Sequence, residues 1–239
     1  MFELPGAQFT RVLPLFDPDQ PNSTMLFSTL EGRTPGKVYV DDVDHPTAGI
    51  LVINFYNTTF LGGALDPLWV RQALSELRRN QDILLTWSPR LAVSLEPPAL
   101  EIDRYEFYDR IPGSPLPVPA GHYLRTIDEV LLPRCLWYDE TLLAFGTTEN
   151  YLANGIGLCL MANDEICCEA YAVFRGAGKF EIGVNTHEKY RRRGYALLVC
   201  QNLAEAFEAR GTPTSWSCHQ ENTASAATAR KLGYQVQRE

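Results

Sequence analysis

Between residues 196 and 207 the apolar residues Ala196, Cys200, Leu203 and Phe207 recur at steps of four, three and four. That is the period of one helix face. Gly194 opens this helix, and Gly211 and Pro213 end it. Upstream, residues 157–162 and 166–174 are continuous apolar runs around Asn163-Asp164, which predicts a hairpin. Residues 180–184 alternate as a third strand, and 214–218 supply a fourth. Residues 224–232 read as a helix with Asn222 or Thr223 as cap and Gly233 just past its end. Residues 234–237 begin a last short strand. Before the hairpin, 122–127 predicts an opening strand, with short helices over 128–132 and 141–150. The order is a meander of three strands feeding a strand–helix–strand crossover.

The first half follows a similar logic. Residues 37–41 alternate as a strand, 42–46 form a turn, and 47–55 make a buried strand rich in Ile and Val. Asp66-Pro67 opens a helix whose expected core face is Leu68, Val70, Leu74 and Leu77. Residues 82–87 are another strand. Residues 111–121 hold four prolines and two glycines, which oppose both helix and central strand. A boundary there gives two domains, 1–119 and 120–239. The fold class is mixed α/β.

Length and charge narrow the partners. A chain of 239 residues, 45% hydrophobic and 21% charged, can bury a core and is not a disordered polymer. A net charge of -8 excludes a broad basic surface, so neither a nucleic acid nor an anionic membrane is expected as partner. The N-terminus has no signal-peptide pattern, and no apolar run is long enough to span a bilayer. The six cysteines sit mostly in apolar runs without C-x-x-C spacing, and the four histidines are scattered. The expectation is reduced thiols in a cytoplasmic protein, with no metal site.

The acidity is uneven: residues 1–119 carry 9 basic and 15 acidic side chains, residues 120–239 carry 12 and 14. Lys189 and Arg191 to Arg193 gather where a strand ends and the long helix begins. There Arg191-x-x-Gly194-x-Ala196 leaves the first helical N–H groups aimed outward, which suits a phosphate. Gly194 lets a pyrophosphate approach the backbone.

This stretch resembles the acetyl-CoA-binding motif of the GNAT (GCN5-related N-acetyltransferase) superfamily, Gln/Arg-x-x-Gly-x-Gly/Ala. Residues 222–234, with Asn222, Ser225 and Lys231-Leu-Gly233-Tyr234, resemble that superfamily's next motif. The resemblance covers residues 120–239 most closely. It is nearest to the zwittermicin-A-resistance-type acetyltransferases, through Trp216-Ser-Cys218 and through 37–42 followed by Pro46. It implies a GNAT fold in the C-terminal half, a central mixed, mostly antiparallel sheet flanked by helices. The first half, a strand–turn–strand pair followed by a helix and a strand, then reads as a degenerate GNAT-like unit.

The resemblance also implies chemistry: direct transfer of an acetyl group from acetyl-CoA to the amine of a small molecule in a ternary complex. The loop from Arg191 through Arg192, Arg193, Gly194, Tyr195 and Ala196 would hold pyrophosphate. Val184 and Thr186 would line the pantetheine path with Asn222 and Ser225. Glu181 would be the base, with His187 and His219 as rivals. Where the superfamily often has a Tyr to protonate the leaving thiolate, this chain has Ala229, so Tyr234, Tyr195 or water would serve. The alternative is a catalytically silent GNAT-like module that binds CoA or senses it. The usual final strand is missing, so the open sheet edge predicts cover from an N-terminal strand or a second subunit, the latter making a homodimer. Asp41, Asp42 and Asp44 read either as a cation-attracting cluster or as an Asp-rich turn.

Overall fold

Local chemistry places most elements where the pattern predicts them in the computed structural model, which describes residues 1–79, 82–93 and 102–238. The chain divides into two units, Met1–Glu101 and Ile102–Glu239.

The first unit runs β1 (Phe2–Leu4), a 3-10 segment (Gly6–Leu15), α1 (Ser23–Leu30), β2 (Gly36–Val40), β3 (Ala48–Ile53), β4 (Thr58–Gly63), α2 (Pro67–Leu77) and β5 (Leu84–Trp87). The strands lie in the order β1-β2-β3-β4-β5. Only β4 and β5 are parallel. β3 is buried at every position, as a continuous apolar run requires. Asp66 caps α2 by accepting from Trp69 N at 2.8 Å. The buried stripe of α2 is Val70, Ala73 and Leu74, packed on Ile50, Val52 and Leu61. Leu68 was expected in that stripe but is 60% exposed. Two residues before Val70, it lies about 200° around the helix. β4 carries no pattern of its own because it ends in two glycines. Gly62 is there because a Cβ would lie 2.6 Å from the Phe16 ring and from Leu15 O.

The second unit runs β6 (Arg104–Tyr108), β7 (Tyr123–Thr126), α3 (Tyr138–Phe145), α4 (Thr148–Asn154), β8 (Gly157–Ala162), β9 (Glu165–Gly176), β10 (Lys179–Thr186), α5 (Tyr195–Glu208), β11 (Thr214–His219), α6 (Thr223–Lys231) and β12 (Gln235–Arg238). Its sheet order is β12-β6-β11-β10-β9-β8-β7, with β10 and β11 parallel. The 163–164 turn has φ of 48° and 62°, the left-handed pair that a two-residue hairpin needs. The helix expected over 128–132 is replaced by a turn in which Asp128 accepts from Val130 N and Leu131 N. Only Leu132–Arg134 is helical there, as a single 3-10 turn. The helix expected over 141–150 is two helices, parted at Gly146 with φ 79° and restarted by the Thr147 cap.

α5 and α6 pack on one sheet face through Leu198, Val199, Leu203, Phe207, Ala226 and Ala229 against Phe180, Ile182 and Trp216. Phe180 and Phe207 stack with ring centroids 3.9 Å apart, worth about 1 kcal/mol beyond burial. α3 meets the other face. There Glu169 accepts from Leu136 N and Trp137 N at 3.0 Å each, and Trp137 packs on Tyr171.

The units part at 101/102, eighteen residues before the boundary expected at 119/120. The reason is β6, which lies antiparallel between β11 and β12 and so belongs to the second sheet. The proline-rich segment is a strap across that same unit rather than a linker. Ile111 N donates to Gly233 O at 2.9 Å, Gln201 Nε2 donates to Ser114 O at 3.0 Å, and Leu116 packs on the core. β6 thus fills the sheet position for which cover was expected from an N-terminal strand or a second subunit. Strands β1–β5 and β7–β11 share both order and sense, so the first unit repeats the second's central topology.

Gly233 has φ 92°, and a Cβ there would fall 1.9 Å from Ile111 O. Gly233→Ala is therefore expected to lose more than about 2 kcal/mol of stability, read from the midpoint of urea unfolding.

Candidate functional site

The long helix opens without a side-chain cap, at Gly194 with φ 79°. Its first main-chain bond is Leu198 N to Gly194 O, 3.1 Å. The N–H groups of Tyr195, Ala196 and Leu197 therefore have no acceptor within the helix. Arg192 also has positive φ, 62°. Left-handed residues ahead of a helix turn successive N–H groups toward one point, an anion-binding concavity. Arg191, Arg192 and Arg193 surround it and are exposed. Arg191 Nε rests on Thr186 O at 3.2 Å and Arg193 Nη2 on Lys189 O at 3.3 Å. Lys189 is already paired: its Nζ and the Tyr190 hydroxyl both reach Glu165 Oε2 at 2.6 Å. The cationic contribution at the helix end is thus three arginines, not four basic residues.

The second feature lies beside it. β10 keeps β9 as partner along its whole length, to Thr186↔Cys168. Its parallel register with β11 covers only Phe180↔Thr214 and Glu181↔Ser215. Past that rung the strands diverge, and residues 182–186 present a strand edge without ladder partners from β11. A bulge against β9 falls between Glu181 and Ile182, where the extra residue increases twist. Gly183 fits there because a Cβ would lie 2.5 Å from Val173 Cγ2. Val184 and Thr186 are half-buried on the open edge.

Glu181 sits at the apex of this gap. Burial pushes its carboxyl above the usual range, and the Ser217 hydroxyl and the Arg104 charge act against that rise. Glu106 on β6, buried beside it, adds to the rise. Ser217 donates to Glu181 Oε1 at 2.6 Å, and Arg104 Nη2 donates to Ser217 Oγ at 2.7 Å. A carboxyl with its proton affinity raised and one oxygen held by a hydroxyl is suited to accept a proton. Arg104, Glu106 and Ser217 carry no motif. The available signal was the alternation over residues 104–108, with Tyr105 and Phe107 on the core side.

Other expected site residues land elsewhere. Tyr234 is buried in the helix-side core, and its hydroxyl donates to Thr214 Oγ1 at 2.6 Å. Thr214 lies at the paired end of β10 and β11, so the structure does not bring Tyr234 to the gap; burial also pushes its phenol up. The Tyr195 ring is buried, its hydroxyl 2.9 Å from His122 Nε2, which leaves its main chain for a ligand. Asn222 caps α6 by accepting from Ser225 N at 3.1 Å, and Ser225 Oγ accepts from Trp216 Nε1 at 3.0 Å. Burial lowers both His187 and His219, and among the described residues neither has a carboxylate in hydrogen-bond reach. Asp41 accepts from Thr47 N and Ala48 N, and Asp42 from Asp44 N and His45 N, so these carboxylates build the turn.

The first unit's equivalent of this site is closed. β4 and β5 stay in register over four rungs, Thr58↔Leu84 to Leu61↔Trp87. The helix that follows β4 is capped by the Asp66 carboxylate, which occupies the place of an anion.

A family profile described as GNAT acetyltransferase matches residues 14–239. The uncharacterized N-acetyltransferase YdfB of Bacillus subtilis (strain 168) is 24% identical over 98% of this chain and 94% of its own length. Among solved structures, the GCN5-related N-acetyltransferase-like protein from Streptococcus suis 89/1591 superposes with a TM-score of 0.69 at 23% identity, over 97% of this chain and 96% of that one. The tandem GNAT protein from the clavulanic acid biosynthesis pathway superposes at 0.61 and 12% identity, over 98% and 95%. The two structures share the fold. The profile match runs through both units and takes in the diverging strands and the uncapped helix, so the chain belongs to the GNAT acetyltransferase family and by class is an N-acetyltransferase.

Proposed function

We propose that this chain is an acetyl-CoA-dependent N-acetyltransferase that acetylates the amine of a small molecule directly, within a ternary complex. The observation that carries this is the meeting of two features in one place: the uncapped, arginine-rimmed start of α5 and the partnerless edge of β10. The first fits a pyrophosphate and the second fits an extended amide-bearing arm, which adds to a strand edge as a peptide would. Bound acetyl-CoA supplies an acetyl thioester.

The chain's own residues then divide the work. The N–H groups of Tyr195 and Ala196, with those of the Arg192–Gly194 turn, bind phosphate oxygens, and Arg191 to Arg193 add charge. Val184 donates its main-chain N–H toward the thioester carbonyl, and Thr186 flanks the same edge. Asn222 and Ser225 lie at the start of α6, on the far side of the gap. Glu181 takes the proton from the amine. Tyr234 is not available for the leaving thiolate, and Ala229 is fully buried. Tyr195 holds its hydroxyl on His122, so water is the proton source we assign. The placement near the zwittermicin-A-resistance-type enzymes is part of this proposal. It rests on Trp216-Ser-Cys218, whose Trp216 ties β11 to Ser225. The first unit is proposed to be a degenerate GNAT-like copy.

Acetyl-CoA at about 100 times its dissociation constant is expected to stabilise the fold by about 2.7 kcal/mol, seen as a rise in melting temperature. Arg193→Glu is expected to shrink that rise. No rise in either protein contradicts the reading. Because Asp66 closes the first unit, calorimetry is expected to give one acetyl-CoA per chain, and two per chain would show the first unit to be open. Across a panel of primary amines, CoA thiol release is expected with the parent protein. Glu181→Gln is expected to lower kcat by about 10²–10⁴. The parent's rate is expected to fall as pH drops through the raised Glu181 value, because protonation removes the base. Binding without thiol release would assign the chain to the silent CoA-binding class.

A further inference from the structure

β6 enters the second sheet from before the strap and pairs with β11 from Trp216↔Phe107 to His219↔Arg104. Alternation then sorts its side chains. Tyr105 and Phe107 join the helix-side core, and Arg104 and Glu106 fall on the face that bears Glu181 and Ser217. The inserted strand therefore delivers a guanidinium to Glu181.

We propose that Arg104 is a positioning residue for the base Glu181, acting through the Ser217 hydroxyl. This rests on the reading of Glu181 as the base. The argument is one of donor counting. A guanidinium can only donate, so Ser217 Oγ must accept from Arg104 Nη2. The hydroxyl has a single proton, and with its oxygen engaged by Arg104 that proton points to Glu181 Oε1, 2.6 Å away. Arg104 thus fixes which way the hydroxyl faces, and the hydroxyl fixes one carboxylate oxygen. The proton from the amine is left to Oε2. With the rotor locked, the carboxylate spends no reorganisation when the acceptor arrives.

The same arrangement sets the carboxylate's proton affinity. The groups that act on Glu181 are Ser217 from β11 and Arg104 and Glu106 from β6; Tyr108 donates to Glu106 at 3.3 Å, and Tyr171 lies on the same face of β9. Burial and Glu106 favour the protonated acid, whereas Ser217 and Arg104 favour the carboxylate. Removing Arg104 removes a cation and frees the hydroxyl to turn away, so both effects raise the titration midpoint.

The test is a direct titration of the carboxyl by carbon-13 NMR on protein labelled at the glutamate side chains. The Glu181 resonance is the one absent from Glu181→Gln. In Arg104→Gln its midpoint is expected to move up by about one pH unit, with Arg104→Lys returning part of the shift. Ser217→Ala is expected to raise it too, and adding Arg104→Gln in that background is expected to move it less than in the parent. A folded Arg104→Gln protein with an unmoved midpoint overturns the proposal. Should that variant fail to fold, an unmoved midpoint in Ser217→Ala does so instead. The base reading fails separately: full thiol release by Glu181→Gln would remove it, whatever the titration shows.

Discussion

The parting of β10 from β11 after one shared pair of rungs is the constraint on which the site depends. A parallel sheet normally keeps adjacent strands bonded, because an unmet N–H or C=O in the interior is costly. Here the bulge at Glu181/Ile182 and the missing side chain at Gly183 let β10 follow β9 instead. In the proposed function this unmet edge is where an amide-bearing arm adds. The uncapped end of α5 extends the same logic: unpaired donors are kept where an anion can satisfy them. In the first unit the topology is the same, but the ladder runs on over four rungs and Asp66 accepts from Trp69 N at the helix start.

The inserted strand ties stability to chemistry. β6 closes the sheet between β11 and β12, and its flank is pinned where Arg110 pairs with Glu208 through two bonds of 2.8 and 2.5 Å. Its alternation puts two aromatic rings into the core and Arg104 and Glu106 at the carboxylate. A glycine in the second motif answers to the same strand's exit, since Ile111 crosses directly over Gly233.

Much of this was legible in the residues. The helix period at 196–207, the hairpin signal at 163–164 and the Asp66-Pro67 opening all act within a few residues, and each appears where expected. The glycine-opened, arginine-rich start of the long helix was legible for the same reason. Misreadings arose where a distant contact decided the outcome. Leu68 looked like core until Ala73 completed the buried stripe. The prolines of 111–121 looked like a linker, yet a strap anchored by Gln201 and Gly233 uses the same stiff backbone. Tyr234 looked available beside Gly233, but Thr214 holds its hydroxyl in the core.

The family resemblance singled out Glu181; by itself the sequence determined the order of elements from residue 157 onward and the glycine-bearing, arginine-rich turn at 191–196. Those follow from periodicity, glycine conformations and charge, which are local. Only the tertiary structure decided that the strands part at Glu181, that residues 104–108 belong to the second sheet, and that Arg104 and Ser217 line up on the Glu181 carboxyl. Each of these depends on pairing between segments up to about a hundred residues apart in the chain, and backbone pairing leaves no periodic trace that names the partner strand.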